Sequence, residues 1–474
     1  MMATSDTDQT PEHDYYLGRA LHLASVAALG GFLFGFDTAV INGAVGAIES
    51  DFEIGAGLLG FVVSSALLGC VVGAYLAGRL AERIGRTRVM VLAAVLFFIS
   101  AVGSGLAIGP WDLIFWRVVG GLGVGAASVI APAYIAEISP ASIRGRMGSL
   151  QQLAIVTGIF VALLSDYYLA TTAGGSDQQL WGLTAWRWMF IAEVIPAATY
   201  GLLALTIPES PRYLVARGDE RGAREVLRTV MRSGLDKRIK EIHRTVVLDR
   251  RSSVKDLVSS GGGNLLPIVW IGIALSVFQQ FVGINVIFYY SSTLWQSVGF
   301  TEEDALTQTV ITSITNIAVT LVAISLIDKI GRRRLLMIGS TGMALTLGTL
   351  SFIFANARLL ENDAGELEPV LTDTNGVIAL IAANLFVVFF GMSWGPGVWV
   401  LLGEMFNNKI RGTALGVAAA AQWLANFAIS TSFPKFADIG LGFAYGFYTT
   451  FALLSLFFVL KFVPETKGKE LEDM

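Results

Sequence analysis

Two ionisable residues lie in the middle of long apolar runs, where a charge needs a specific reason. Asp37 lies in one run, and Arg117 lies in another further along the chain. A carboxyl group away from water resists ionisation, whereas a nearby guanidinium favours the ionised form. Movement of the arginine away from Asp37 would therefore increase the affinity of the carboxyl group for a proton. The pattern predicts a proton switch, with a static ion pair between two helices as the alternative.

A second set of candidate residues is polar but uncharged. Gln279 and Gln280 are adjacent in one apolar run, and Asn285 follows in the same run. An amide offers donors and an acceptor, and an aromatic face can stack on a sugar ring, so the set suits a polyhydroxylated ligand. The alternative is that the amides only join helix to helix. The predicted ligand site comprises Gln152, Gln279, Gln280, Asn285, Tyr289, Asn316, Trp399, Gln422 and Asn426.

Charged residues recur in short motifs at the ends of the apolar runs. Opposite charges there can pair between helices and stabilise one of two conformations, as alternating access requires. Arginines that only set membrane topology are the alternative, and both roles are compatible. The predicted gate network comprises Arg79, Arg86, Glu137, Arg144, Glu209, Arg332, Arg333, Glu404, Arg411 and Glu465.

The sequence offers no pattern for metal or enzyme chemistry. Its three histidines, His13, His22 and His243, are not at metal-ligand spacing, and its single cysteine, Cys70, suits a packing role. No nucleophile–base pair is evident. We therefore predict no metal, no cofactor, no nucleic acid partner and no enzymatic activity.

The candidate residues must be positioned by helices that cross a membrane. Of the 474 residues, 54% are hydrophobic and 15% are charged, whereas a typical soluble chain is about 25% charged. A crossing helix needs roughly 20 mostly apolar residues. That length predicts about twelve crossings, at residues 18–46, 57–80, 88–107, 111–136, 148–170, 186–207, 264–294, 305–327, 334–356, 376–404, 412–435 and 441–463.

Lys and Arg residues are unevenly distributed between the predicted crossings. With the N-terminus inside, 29 of the 33 lie in cytoplasmic segments, and residues 208–263 hold thirteen of them. Such a bias sets orientation. We predict a multi-pass protein in the lipid bilayer of a prokaryotic plasma or inner membrane, with both termini cytoplasmic. Residues 1–16 are polar and acidic and do not form a signal peptide pattern, so we expect a disordered tail there.

Three motifs occur twice, in the same order and after matching crossings. Gly-Arg motifs at 78–86 and 328–334 form one pair, and Pro-Glu motifs at 208–210 and 464–466 form another. In the third pair, Glu and Arg are seven residues apart in both copies. The repeats predict an all-α membrane protein of two related halves with parallel topology. Its parts are a tail (1–16), an N-terminal six-helix bundle (17–207), a helical linker (208–263), a C-terminal six-helix bundle (264–463) and a second tail (464–474).

With these motifs, the chain resembles the sugar porter family of the major facilitator superfamily over about residues 20–470. The most specific strings are Pro208-Glu209-Ser210-Pro211-Arg212 and Gln279-Gln280-Phe281-Val282-Gly283-Ile284-Asn285. Met392-Ser393-Trp394-Gly395-Pro396 and the run at 421–426 look like those of bacterial xylose–proton symporters, and animal glucose facilitators are more distantly similar.

The resemblance implies the major facilitator fold and specific residue roles. In the family, the positions matching Gln152, Gln279, Gln280, Asn285, Asn316, Trp399 and Gln422 contact the sugar. The position of Asp37 is an acid in proton-coupled members and Asn in animal uniporters. Ile159 departs from the xylose type, which has a second glutamine there, whereas glucose facilitators have Ile. Glucose or another aldose is therefore open beside xylose.

We predict a proton-coupled symporter for a monosaccharide, an aldose such as xylose or glucose, that works by alternating access as a monomer. Two alternatives stay open. One is a uniporter in which Asp37 and Arg117 form a structural pair. The other is a sugar sensor with the same fold, which is disfavoured because only about ten residues follow the last predicted crossing.

Overall fold

The computed structural model is almost entirely helical, and it describes residues 15–139, 143–248, 254–258, 264–361, 367–406 and 410–465. Within these residues, eleven helical segments are long and apolar enough to cross a membrane. The sixth predicted crossing is also helical, but it is divided into two shorter helices at Glu193. The prediction of an all-α membrane protein with about twelve crossings is confirmed.

The first six crossings form the N-terminal bundle. In chain order its helices are α1 (Leu17–Ala39), α2 (Ile41–Asp51), α3 (Ala56–Ile84), α4 (Arg86–Gly105), α5 (Pro110–Ile138), α6 (Arg144–Ala173), α7 (Ala185–Ala192) and α8 (Val194–Ala204). Strands β1 (Gln179–Leu180) and β2 (Leu183–Thr184) form a short antiparallel hairpin between α6 and α7.

Three short helices follow the N-terminal bundle: α9 (Pro211–Ala216), α10 (Glu220–Val230) and α11 (Leu235–Leu248). The C-terminal bundle then comprises α12 (Pro267–Phe281), α13 (Ile284–Gln296), α14 (Glu302–Ile330), α15 (Arg332–Ala355), α16 (Asp373–Phe389), α17 (Gly395–Met405), α18 (Arg411–Ile439) and α19 (Leu441–Phe462). Strands β3 (Arg358–Glu361) and β4 (Leu367–Val370) pair antiparallel between α15 and α16. We call the end of the molecule that carries α9–α11 the linker end, and the opposite end the distal end.

Four crossings are interrupted between two helical pieces. The breaks lie at Val40, at Glu193, at Val282–Gly283 and at a π-helical turn, Phe390–Trp394. Gly283 has a φ of 82°, which suits glycine, and Pro196 cannot donate to the carbonyl of Ala192. Interrupted backbone is tolerated at membrane depth only where protein or a cavity surrounds it. The breaks therefore mark the interior of the molecule.

Helices α3 and α5 approach closely through glycine. A Cβ atom at Gly121 would overlap the backbone oxygen of Ala66, and one at Gly125 would overlap that of Cys70. Small residues at such crossings let two helix backbones pack together in a membrane. This contact fixes the position of α5, which carries Arg117.

We predict that Gly121→Ala destabilises the protein, because the added methyl group has no space against α3. Overpacking of this kind costs about 1–3 kcal/mol. Gly78→Ala on α3 is the matched control, since a Cβ there has no heavy atom within 4 Å. Thermal unfolding in detergent should show a lower midpoint for the first variant only, and equal midpoints would contradict the assigned helix contact.

Candidate functional site

Three ionisable side chains meet in the interior of the N-terminal bundle. Asp37 near the end of α1, Arg117 on α5 and Glu193 at the α7–α8 break are 2%, 2% and 1% exposed. The carboxyl groups of Asp37 and Glu193 lie within hydrogen-bonding reach of each other. Two carboxyl groups can form a hydrogen bond only if one of them carries a proton. The cluster can therefore hold a proton away from water.

Arg117 lies in this cluster but, among the described residues, it forms no ion pair with Asp37. Its Nη2 donates to the carbonyl oxygen of Val63 at 3.3 Å, and its Nε has no partner within the described part of the chain. Its guanidinium carbon lies 5.7 Å from the ring centre of Phe190. The structure therefore differs from the static Asp37–Arg117 ion pair that the sequence left open as an alternative. An arginine held by one long backbone contact can move to a carboxylate with little loss.

The sequence analysis did not select Glu193, although it lies within the predicted crossing 186–207. Asp166, within the predicted crossing 148–170, was also not selected and is 0% exposed. The rule that identified Asp37, an ionisable residue within an apolar run, applies equally to both. That signal was present in the sequence and was sufficient to find them.

Gln279, Gln280 and Asn285 form a directional chain of hydrogen bonds at the α12–α13 break. Nδ2 of Asn285 donates to Oε1 of Gln280 (2.5 Å), and Nε2 of Gln280 donates to Oε1 of Gln279 (3.4 Å). Nε2 of Gln279 donates to the carbonyl oxygens of Trp394 (2.8 Å) and Gly395 (3.2 Å) at the π-helical turn. Gln279 thus uses both its N–H groups on backbone, whereas Asn285, only partly buried, keeps its Oδ1 and one N–H for a ligand.

Tyr289 lies one helical turn beyond Asn285 on α13, and it contacts a third predicted ligand residue, Asn426. Nδ2 of Asn426 on α18 is 3.4 Å from the hydroxyl oxygen of Tyr289 on α13. Gln422, one turn before Asn426, has a buried Oε1 with no hydrogen-bond partner among the described residues. A buried carbonyl oxygen without a donor is costly, and a ligand hydroxyl would satisfy it.

The remaining predicted ligand residues are partly or more exposed. Asn316 on α14 and Gln152 on α6 are partly buried, and Trp399 on α17 is 43% exposed. Within the described residues, no hydrogen bond joins their side chains to the Gln279–Asn285 chain. Hydrogen bonds between described residues therefore link Gln279, Gln280 and Asn285 to one another and Tyr289 to Asn426, and they do not include these three side chains.

Hydrogen bonds join the two bundles through Asn42 on α2, in a cluster that we call the distal clamp. Nδ2 of Asn42 donates to the carbonyl oxygen of Phe288 (3.0 Å) and to Oγ of Ser291 (3.0 Å). Its Oδ1 accepts from the backbone N–H of Ser292 (3.2 Å), and its carbonyl oxygen accepts from Oγ of Ser292 (2.5 Å). The distal clamp therefore binds α2, the second helix of the first crossing, to α13, the second helix of the matching crossing in the C-terminal bundle.

Two other hydrogen bonds join the bundles on the same side. The hydroxyl oxygens of Ser64 and Thr431 are 2.6 Å apart, and Oε1 of Glu302 accepts from the backbone N–H of Ser176 (3.0 Å). Together with the distal clamp, these are the hydrogen bonds between described residues of the two bundles, and all lie toward the distal end. The molecule is closed at that end.

In the N-terminal bundle, the charged motifs at the linker end form a compact unit. Arg86 makes two contacts with Glu137, from Nε to Oε2 (3.0 Å) and from Nη2 to Oε1 (2.9 Å). Oε1 of Glu209 accepts from the backbone N–H of Arg86 (2.9 Å). Oε2 of Glu137 also accepts from Oγ of Ser210 (2.5 Å). This unit joins α4, α5 and the start of the linker.

The second copy has the same geometry. Arg332 contacts Glu404 from Nε to Oε2 (3.1 Å) and from Nη2 to Oε1 (2.7 Å). Glu465 accepts from the backbone N–H groups of Arg332 (3.0 Å) and Arg333 (3.2 Å). The Arg86–Glu137 and Arg332–Glu404 ion pairs each join helices of the same half.

Three members of the predicted gate network differ from these pairs. Arg79 lies over the ring of Tyr75, 4.5 Å from its centre, and has no carboxylate partner among the described residues. In this structure the aromatic ring of Tyr75, on the same helix, holds Arg79, and its membership of the charge network stays a prediction. The side chains of Arg144 and Arg411 lie outside the described residues.

Comparisons with known proteins bear on the family and the fold of this chain. The family described as "Sugar (and other) transporter" matches residues 23–474. The chain is 60% identical over 457 residues to the glucose transport protein of a Synechocystis strain, covering 96% of each chain. It is 39% identical to the D-xylose-proton symporter of Escherichia coli K12, covering 95% of this chain and 94% of that one. Its fold matches a partially occluded inward-open structure of the E. coli xylose transporter XylE, with a TM-score of 0.82 and 37% identity, covering 96% and 100% of the two chains.

We predict that Asn42→Ala shifts the conformational equilibrium away from distal closure. The substitution removes three hydrogen bonds of the side chain, a loss of about 1–3 kcal/mol, and about 1.4 kcal/mol is a tenfold change in population. Distances between spin labels at the distal ends of α2 and α13 would report the longer, open population.

Ser50→Ala is the matched control for Asn42→Ala. The Ser50 hydroxyl donates only to the carbonyl oxygen of Ala47 on its own helix (3.1 Å). An open population that grows equally in both variants would contradict the assigned role of the distal clamp.

Proposed function

The chain belongs to the sugar transporter family of the major facilitator superfamily, and from this membership we propose that it is a proton-coupled monosaccharide symporter. The observation that carries the coupling is the buried Asp37–Glu193 carboxyl pair beside Arg117. Transport of a neutral sugar needs no ionisable group within the membrane, and such groups are costly there. A shared proton between two carboxyl groups gives the cluster a function that a passive carrier does not need.

The proposed switch involves two partners for one carboxyl group. With a proton, Asp37 pairs with Glu193, and Arg117 rests on the carbonyl of Val63. When the proton leaves, the carboxylate attracts the guanidinium of Arg117. Because Asp37 and Arg117 lie on α1 and α5, exchange of partners changes how these helices pack. Proton occupancy therefore selects between two conformations of the bundle.

One proton supplies enough free energy to concentrate a sugar. The membrane potential contributes about 2.3 kcal/mol per charge per 100 mV. At roughly 150 mV, one proton per sugar could support roughly a 300-fold gradient, because about 1.4 kcal/mol corresponds to a factor of ten. A uniporter could support no gradient, so accumulation separates the two functions.

The proposed substrate is an aldose bound between the bundles. Asn285 presents a carbonyl oxygen and an N–H group, and Gln422 presents an unpaired carbonyl oxygen, which together suit neighbouring hydroxyl groups. Gln279 serves mainly to hold the π-helical turn and to orient Gln280. Similarity to a glucose and a xylose transporter supports a six- or five-carbon aldose.

We assign the linker end to the cytoplasm and the distal end to the outside. The uneven distribution of Lys and Arg supports this orientation, which places both termini in the cytoplasm. The closed distal end and the match to an inward-open relative support an inward-facing state. Each chain contains both bundles, the proton cluster and the ligand residues, so we propose that a monomer transports.

A sugar uniporter is the second candidate function. The relative at 60% identity is a glucose transport protein whose description names no coupling ion. In that case, the Asp37 cluster would only stabilise the packing of α1, α5 and α8. A sugar sensor has no specific support, since the described relatives are transporters.

We predict that Asp37→Asn abolishes sugar accumulation but spares counterflow, because the amide cannot carry a proton yet leaves the ligand residues unchanged. In vesicles with the unsubstituted protein, added sugar should make the external medium more alkaline, and in the variant it should not. Asp112→Asn, at the start of α5, is the matched control and should retain both activities, since an amide oxygen can still accept from the N–H of Ile108. A flat pH trace with the unsubstituted protein during active exchange would establish the uniporter.

We also predict that Gln280→Ala weakens sugar binding. The substitution leaves Asn285 without the acceptor that orients it, at a cost of about 1–3 kcal/mol, or roughly tenfold or more in affinity. Gln296→Ala at the exposed end of α13 is the control and should have no effect. Unchanged sugar affinity in the Gln280 variant, measured by counterflow, would contradict the assigned ligand site.

A further inference from the structure

A second buried acid lies outside the proton cluster and the ligand site. Asp166 on α6 is 0% exposed. Its Oδ2 accepts from the backbone N–H of Gly43 at 3.2 Å, and its Oδ1 has no hydrogen-bond partner in the described part of the chain. A Cβ at Gly43 would lie only 2.7 Å from the Cβ of Asp166, so α6 and α2 are in direct contact at this point.

The position of this contact connects Asp166 to the distal clamp. Gly43 lies in the first turn of α2, where backbone N–H groups lack partners within the helix. Asp166 supplies the acceptor for one of them. The next residue toward the N-terminus is Asn42, whose side chain and carbonyl bind α13. Asp166 therefore holds the short segment that carries the clamp residue.

The charged groups on the surrounding elements do not neutralise Asp166. Asp51 on α2 and Arg187 on α7 pair with each other at 3.2 Å, and Glu302 on α14 binds the backbone of Ser176. Other charged or titratable residues on α2, α6, α7 and α14 include Glu49, Tyr167, Tyr168, Glu303, Asp304 and Lys329, and Glu193 follows α7 directly. On α1 and α5, which also pack against α6, they include Arg19, His22, Asp37, Asp112 and Arg117. Within the described residues, no cation forms an ion pair with Asp166.

A carboxylate with one unpaired oxygen and no cationic partner is too costly to persist in this environment. The arrangement fits a neutral acid with the distal clamp closed. We propose that Asp166 is a second proton-binding site, one that responds to the external medium through the distal clamp and is separate from the coupling proton at Asp37. This proposal rests on the proposed function at one point: it requires the distal end to face the external medium.

Opening of the distal clamp would separate α2 from α13 and admit water to Asp166. The acid could then release its proton outward, and the carboxylate would stabilise the open state. In the closed, inward-facing state Asp166 is sealed, so its proton does not reach the cytoplasm and does not drive transport. External acid would therefore favour closure. A single group of this kind changes the open-to-closed ratio by at most about tenfold per pH unit.

Asp166→Asn tests this site because an amide oxygen can still accept from Gly43 while the side chain no longer titrates. Sugar exchange is measured at fixed internal pH over a range of external pH, in the Asp37→Asn background, where coupling does not contribute. We expect the half-saturating external sugar concentration to vary with external pH in Asp37→Asn and to become nearly constant in Asp37→Asn/Asp166→Asn. Glu303→Gln, an exposed acid at the same end, is the matched control and should leave the pH dependence unchanged.

Two outcomes would overturn the proposal. If the double variant keeps the pH dependence of Asp37→Asn, Asp166 is only a structural cap for α2. If Asp166→Asn alone loses accumulation while exchange continues, Asp166 carries the coupling proton instead.

A further measurement needs no change at Asp166. Spin-label distances across the distal ends of Asp37→Asn should shift toward the open state as pH rises, and constant distances would also contradict the proposal. Failure of the proposed function is distinguishable, since it would appear as a flat pH trace in unsubstituted vesicles and would not affect these exchange experiments.

Discussion

The cost of placing an uncompensated charge in hydrocarbon is the constraint on which the rest of this structure depends. Asp37, Glu193 and Asp166 are buried acids, and the cluster of the first two contains a single arginine. With fewer cations than acids in the interior, at least part of this set must carry protons. In the proposed mechanism, a hydrogen bond between Asp37 and Glu193 holds one proton, and the distal clamp seals Asp166. Proton binding thus follows from the charge balance of the bundle interior.

The same constraint determines how helices are interrupted. Each break exposes backbone groups that lipid cannot satisfy. At the π-helical turn, Gln279 donates to the carbonyl oxygens of Trp394 and Gly395. Near the α1–α2 break, Asp166 accepts from Gly43. Polar side chains on a neighbouring helix therefore complete the backbone of an interrupted one, which explains why the polar residues of this chain concentrate near its breaks.

The sequence predicted the crossings and the duplicated halves because length and composition carry that information directly. It also identified Gln280 and Asn285, because adjacent amides in an apolar run are conspicuous. The breaks were not predicted, since an apolar run has the same composition whether or not its helix is continuous. The partner of Gln279 lies more than a hundred positions away in the chain, and no local pattern encodes such a pair. Glu193 could have been found, because it satisfies the rule applied to Asp37.

The proton cluster and the ligand residues are connected through a short path. Asp37 precedes Asn42 by five residues, about 8 Å of helix rise, and Asn42 binds α13 at Phe288, Ser291 and Ser292. The same helix carries Asn285 at its first turn. A change of partner at Asp37 that moves α1 must therefore strain or release the distal clamp, and a sugar that orders α13 must do the same from the other bundle. In the proposed mechanism both ligands act on one set of hydrogen bonds, so each would change the affinity for the other, which is the coupling that symport requires.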